Sequence, residues 1–247
     1  MSSMNNDFRL FFAYSTSGEA NLTYSQWRWD ERPLNVLVAF PFIKQWQDRK
    51  WMGRPSRTIL DSGAYSAWNS GKTIDIDALI KETKSGKWDE SICLDVIGDP
   101  EASMRNAEYM KKNNSPAFPV FHIGDPWEML REYCNEFDRV GISCRFGESP
   151  KESMIWAGQC FAREWPHKFH SFGWVAKDAL MAFPFATADT ASWNNGPARW
   201  GRWNAFKGSG PQLKGARSLV AEVDWYLKLE NEVKGRWARI LREAFDV

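Results

Sequence analysis

The sequence is short of most features that announce a function directly. Its four cysteines, Cys93, Cys134, Cys144 and Cys160, are scattered, with no CxxC or CxC pair. That spacing argues against a cysteine-rich zinc site and offers no disulfide framework, which fits a reducing compartment. No HxH or HExxH pair is present either. Charge of one sign is not in excess: 32 Lys and Arg face 31 Asp and Glu, a net charge of +1. A cationic field over the whole molecule is therefore excluded, and any nucleic-acid surface has to be concentrated locally. No apolar run approaches the ~18 residues that would suggest a membrane span. The first residues, MSSMNNDFRL, lack the charged-then-apolar pattern of a signal peptide. The expectation is a soluble cytoplasmic protein with no membrane partner. Linkers and low-complexity stretches are also missing, so residues 1–247 read as one domain.

What is present is bulk and rhythm. A chain of 247 residues, 43% of them hydrophobic, can bury a sizeable core without staples. Its 15 tryptophans are either core filler or, in part, a stacking surface. Short apolar runs recur at Arg9–Tyr14, Asn35–Phe40, Thr58–Asp61, Ser91–Val96, Ala117–His122, Arg139–Ser143, Lys168–Phe172 and Phe183–Asp189. They look like parallel strands buried on both faces. Helical patterns separate most of them: Asp75–Ser85, Pro100–Asn113, Pro126–Phe137, Pro150–Trp165 and a long closing stretch from Ala216 to Phe245, with a break expected at Gly235. Eight strands alternating with helices in this length are the pattern of a (β/α)8 TIM barrel. A doubly wound open sheet is the runner-up.

Several of these strands end in titratable residues: Asp61, Asp95, His122, His170 and Asp189. In a barrel the C-terminal strand ends converge on the catalytic face, so five such groups form a candidate constellation. Any single one of them could equally be a turn former or a helix cap. Asp61 is followed by Ser62 and Gly63, which place permissive backbone beside a carboxylate, where a planar ligand could approach closely. After Asp189, the stretch from Thr190 to Ala221 has no acidic residue but carries Arg199, Arg202, Lys207, Lys214 and Arg217. Trp193, Trp200, Trp203 and Phe206 are interleaved with these cations. Cations for phosphates and aromatic faces for unstacked bases are what single-strand or flipped-base binding needs. The plainer reading is a solvated basic loop whose tryptophans pack into the barrel rim.

At this point the sequence resembles a known group. The blocks are Asn35-Val-Leu-Val, DSGAYSAW from Asp61, LDVIGDPEAS from Leu94, Asn106 with Tyr109-Met110, PVFHIGD from Pro119, Gly141-Ile-Ser, HSFGWV from His170 and ATADTASW from Ala186. Their order and spacing are similar to the tRNA-guanine transglycosylase superfamily, especially its phage branch of DpdA-like enzymes that insert 7-deazaguanines into DNA. The resemblance implies a TIM barrel and base exchange through a covalent enzyme–nucleotide intermediate. It implies Asp189 as nucleophile on the sugar C1′ and Asp61 as the proton-transferring acid/base. It assigns base contacts to Asp95, His122 (where the tRNA enzymes have a base-recognising glutamine) and Gly141; His170 at the next strand end, and Ser62 and Gly63 after Asp61, complete the candidate substrate contacts. Arg199, Arg202, Lys207, Trp200 and Trp203 are the candidate nucleic-acid contacts. The implied partners are DNA, or tRNA, and a free 7-deazaguanine base, in the host cytoplasm if the chain is phage-encoded; the oligomeric state is open. The tRNA enzymes carry a zinc site of three cysteines and one histidine, and this chain has no such cluster. No metal or cofactor is expected. Two readings compete with base exchange: a metal-dependent barrel hydrolase using His122, His170, Asp95 and Asp61, and an inactive, nucleic-acid-binding relative.

Overall fold

The computed structural model describes residues 8–49, 53–144, 149–206 and 218–245. The described residues form nine strands, all parallel: β1 (Arg9–Ala13), β2 (Asn35–Ala39), β3 (Arg57–Asp61), β4 (Glu90–Ile92), β5 (Ala117–Phe118), β6 (Val120–His122), β7 (Arg139–Ser143), β8 (Lys168–Phe172) and β9 (Thr187–Thr190). The sheet order is β5-β4-β3-β2-β1-β9-β8-β7-β6. β5 and β6 are consecutive in the chain and parted by Pro119 alone, which has no N–H to give to a ladder. β5 pairs with β4 on one side, and β6 pairs with β7 on the other. The Pro119 carbonyl still accepts from the Gly141 amide at 2.8 Å, and the Phe118 carbonyl from the Cys93 amide at 2.9 Å. The two fragments thus fill one staves-width of the barrel, and the nine strands occupy eight positions around a nearly closed (β/α)8 barrel.

The helices that clothe it are α1 (Gly18–Gln26), α2 (Ile43–Gln47), α3 (Ala64–Ser70), α4 (Ile76–Thr83), α5 (Pro100–Lys112), α6 (Trp127–Glu136), α7 (Pro150–Glu164), α8 (Lys177–Ala182), α9 (Ser192–Trp200) and α10 (Val220–Phe245). Local chemistry sets their starts. Asp75 and Asp99 cap α4 and α5, and Ser149 with Glu152 closes a capping box on α7. The long α10 runs unbroken through Gly235, against the break expected there; tertiary packing outweighs the ~1 kcal/mol cost of a mid-helix glycine. Val223, Tyr226, Leu229, Val233 and Trp237 bury one face of it, and the Trp237 indole donates to the Leu180 carbonyl at 2.9 Å.

Strand alternation sorts the side chains into two cores. Outward residues such as Leu10, Phe12, Val36, Val38, Leu60, Phe121, Val140, Ile142, Phe169 and Ala188 pack under the helices. Inward residues Phe11, Leu37, Ile59, Ile92, Phe118 and Val120 fill the barrel. The same parity turns Asp61, His122, His170, Thr187 and Asp189 inward. Thus the alternation that fills the barrel also aims the titratable residues at its axis.

Beyond one-residue differences at strand ends and the split at Pro119, two strands depart from their expected bounds. The expected Ser91–Val96 strand ends at Ile92. Beyond it, α5 satisfies the backbone instead: Ser103 Oγ accepts from the Val96 amide at 2.8 Å, and Asn106 Nδ2 donates to the Leu94 carbonyl at 3.0 Å. The expected Phe183–Asp189 strand begins only at Thr187, because Phe183 terminates α8 and the Phe185 amide turns back onto the Phe183 carbonyl.

Candidate active site

Three carboxylates converge at the C-terminal strand ends. Asp61 is the last residue of β3, Asp189 lies near the end of β9, and Asp95 follows β4 in the loop that Ser103 and Asn106 hold. Asp95 and Asp189 are buried, and Asp61 is half-buried. Burial pushes the Asp61 carboxyl up from 3.8 to about 8, the negative charges of Asp95 and Asp189 adding to the effect. Backbone amides at Gly63 and Ser62 pull it part of the way back. Near neutral pH Asp61 therefore carries a proton, as a general acid needs.

The backbone after Asp61 has a mechanical reason to be glycine. Gly63 sits at φ 79, a left-handed conformation, and a Cβ there would lie 2.3 Å from Pro41 Cδ. Its amide donates to Asp61 Oδ2 at 3.2 Å, so the same tight turn orients the carboxyl. The Ser62 side chain points elsewhere. It is fully buried, and its Oγ donates to Asp95 Oδ1 at 3.3 Å.

Asp95 and His122 form a unit, with His122 Nε2 2.9 Å from Asp95 Oδ2. The His122 backbone is held in turn, its amide donating to Asp125 Oδ2 at 2.8 Å. Gly141 lies on β7 at the level of Val120, two residues before the strand's end at Ser143, where a Cβ would come within 3.3 Å of Val120 Cγ2. It lets the barrel interior close up beneath the mouth.

Asp189 is held on one side. Oδ1 accepts from the Gly173 amide at 2.8 Å and contacts His170 Nε2 at 3.1 Å. No hydrogen bond reaches Oδ2 among the described residues. His170 is wholly buried, between Asp189 and Thr187, with Nδ1 2.8 Å from Thr187 Oγ1. Sequence reasoning set His170 among the substrate contacts; with no exposed surface and both ring nitrogens engaged, it lies under the site instead.

The segment after Asp189 enters the rim as a helix. Trp193 is buried, its indole donating to the Ala13 carbonyl at 3.0 Å, and it packs on Phe12 and Tyr24. Asn194 bonds Ser17 and Ser15, tying α9 to the first loop of the barrel. Arg199, Trp200 and Arg202 are exposed. Trp203 is half-buried against Phe206. The Glu222 carboxylate, at the start of α10, accepts from the Asn204 and Ala205 amides and pins the turn that carries these aromatics. Lys207, Lys214 and Arg217 lie outside the described residues. Sequence reasoning missed the exposure of Tyr65 and Trp68, which ring-contact each other on α3 just beyond Asp61; their place in the DSGAYSAW block was the available signal.

Cys93, Cys134 and Cys160 are free thiols. Among the described residues no three His, Cys, Asp or Glu side chains converge as a metal ion would require. No helix among them is long and apolar enough to cross a membrane.

No family model matches the chain, and no curated protein does. Solved structures do. A mutant tryptophan synthase α-subunit from the hyperthermophile Pyrococcus furiosus superposes with a TM-score of 0.52 at 12% identity, covering 93% of this chain and 98% of that one. A fructose-1,6-bisphosphate aldolase described as putative, from Coccidioides immitis, gives 0.47 at 11% identity, over 98% and 89%. At 12% identity the first of these speaks to the fold alone, and the fold is the barrel already described.

Proposed function

We propose that this protein exchanges a guanine in nucleic acid, DNA in particular, for a free 7-deazaguanine base. The observation that carries the reading is the unlike state of two neighbouring carboxyls: a protonated Asp61 beside an Asp189 with one oxygen held and the other open. Pairs of acids driven to different roles by their surroundings are how one site runs displacement and proton transfer together.

Asp189 Oδ2 attacks C1′ of the target nucleotide, and the C1′–N9 bond breaks. The electron pair leaves with guanine, which takes the Asp61 proton. The sugar is then held as an ester on Asp189. The incoming deazaguanine gives its N9 proton to the Asp61 carboxylate, attacks C1′ and expels Asp189. One base has entered, one has left, and both carboxyls are restored. Asp95, braced by Ser62 and His122, is suited to accept hydrogen bonds from the amine and ring N–H of the guanine edge. Resemblance in the ordered motif blocks supports the same assignment. Against a metal-dependent hydrolase stands the pairing of His122 and His170 with two different carboxylates.

The test is to incubate the protein with DNA, and separately with tRNA, plus isotope-labelled 7-deazaguanine, then digest to nucleosides and weigh them. The labelled 7-deazaguanine 2′-deoxynucleoside is expected from DNA. Label in tRNA alone would reassign the substrate, and label in neither would refute base exchange.

A further inference from the structure

His170 has no ordinary reason to be polar. It sits in the barrel interior, wholly buried, with its ring against Phe118 and Phe172 at centroid distances of 5.7 and 5.8 Å. A buried imidazole there is a liability unless both nitrogens are satisfied. They are, and the partners form a chain that crosses the barrel. Arg139, at the start of β7 and ion-paired with Glu90 of β4, sends Nη1 to Thr187 Oγ1 at 3.4 Å. A guanidinium only donates, so Thr187 Oγ1 accepts from it, which frees the hydroxyl proton to point at His170 Nδ1, 2.8 Å away. With Nδ1 accepting, the imidazole proton resides on Nε2, and Nε2–H donates to Asp189 Oδ1 at 3.1 Å. With these roles every donor in the series points the same way, from the N-terminal mouth of the barrel to the proposed nucleophile.

We propose that His170 is a positioning residue for Asp189, its ring oriented by Thr187 on Nδ1 and by the carboxylate on Nε2, so that Oδ1 is held from beneath and Oδ2 faces the reacting carbon. The inference rests on the transglycosylase reading for its purpose, but the contact itself does not. The Gly173 amide, also on Oδ1, supplies the second point that fixes the carboxylate plane. When Asp189 departs in the second displacement, negative charge returns to its carboxyl group. Two donors already in place stabilise that charge without reorganisation. His170 touches neither base nor sugar; it acts through Asp189.

Two measurements separate the contact from its purpose. The chain has three histidines, so the 15N imidazole signals can be assigned by single substitutions. His170 is expected as the Nε2-protonated tautomer with a hydrogen-bonded Nδ1, and Thr187→Val should move the Nδ1 signal to that of an unbonded acceptor nitrogen while Nε2 stays protonated. A wild-type Nδ1-protonated ring, or an Nδ1 signal indifferent to Thr187→Val, overturns the proposal whatever the protein catalyses. The second measurement is base-exchange kinetics. His170→Phe is expected to lower kcat by about 10–100-fold with KM nearly unchanged. His170→Gln, whose amide N–H can reach the same oxygen, should recover much of that loss. An unchanged kcat in His170→Phe, a defect confined to KM, or no rescue by Gln overturns the positioning role. If the wild-type protein exchanges no base while the expected tautomer is present, the proposed function fails and takes the purpose of the contact with it.

Discussion

At the scale of single residues, position alone does not decide what a carboxyl does; its neighbours do. Asp61 and Asp189 both face inward at or next to a strand end, yet one is raised to about 8 by burial and two like charges, and the other is gripped by two N–H donors. Asp189→Asn keeps the shape and the acceptor oxygen but is a poor nucleophile, so exchange should vanish while folding and nucleic-acid binding persist; near wild-type turnover would contradict the role. For Asp61 the linkage has a definite sign. The folded protein holds this proton up to about pH 8, while the unfolded chain releases it near 3.8. The associated stability is complete below about pH 4 and is lost as pH rises through 8. Asp61→Asn should therefore be more stable than wild type at pH 9 by up to about 5 kcal/mol, with the gain shrinking toward pH 4. Denaturant titrations at several pH values measure this; a gain independent of pH would mean the carboxyl is not raised. Strand ends and residue types were enough to pick out these carboxyls. The role of His170 was not, because no one-dimensional pattern shows that Thr187, on the next strand, takes its other nitrogen.

Among the elements, the turn from β3 into α3 and the rim helix α9 bear most directly on function. Gly63→Ala would place a Cβ in a left-handed backbone against the Pro41 ring. A loss of ~1–3 kcal/mol is expected from the strained conformation alone, with a lowered denaturant midpoint and unchanged m. Wild-type stability would show that the turn relaxes at no cost. For α9, the acid-free composition separates into two functions that the sequence blurs. Trp193 is a core residue, whereas Arg199, Trp200 and Arg202 face solvent. Helical periodicity was hard to see here because Gly196, Pro197 and Gly201 interrupt it, and tertiary anchoring by Asn194 and Trp193 supplies the missing stability. Arg202→Ala should flatten the log–log dependence of nucleic-acid affinity on salt by about one unit. Trp200→Ala should weaken binding by ~1–3 kcal/mol with the slope unchanged. Wild-type affinity and slope in both would make α9 a structural rim.

For the whole molecule, the barrel was legible because its apolar runs fall at regular intervals and its strands are buried on both faces. What the runs could not reveal is how the ring closes. Pro119 splits the fifth stave, and β5 and β6 each serve one neighbour. Nor could they show that the loop carrying Asp95 leaves the sheet early and depends on Ser103 and Asn106 of α5. Closure brings β9 beside β1 and sets the motif blocks of distant segments around one mouth. The central claim, a covalent sugar–enzyme intermediate on Asp189, can be read most directly by mass. Protein mixed with guanine-containing DNA, quenched in denaturant and digested with nuclease and protease, should yield the peptide bearing Asp189 heavier by one base-free nucleotide remnant, and Asp189→Asn should yield none. An adduct on any other side chain, or the same adduct in Asp189→Asn, would contradict it.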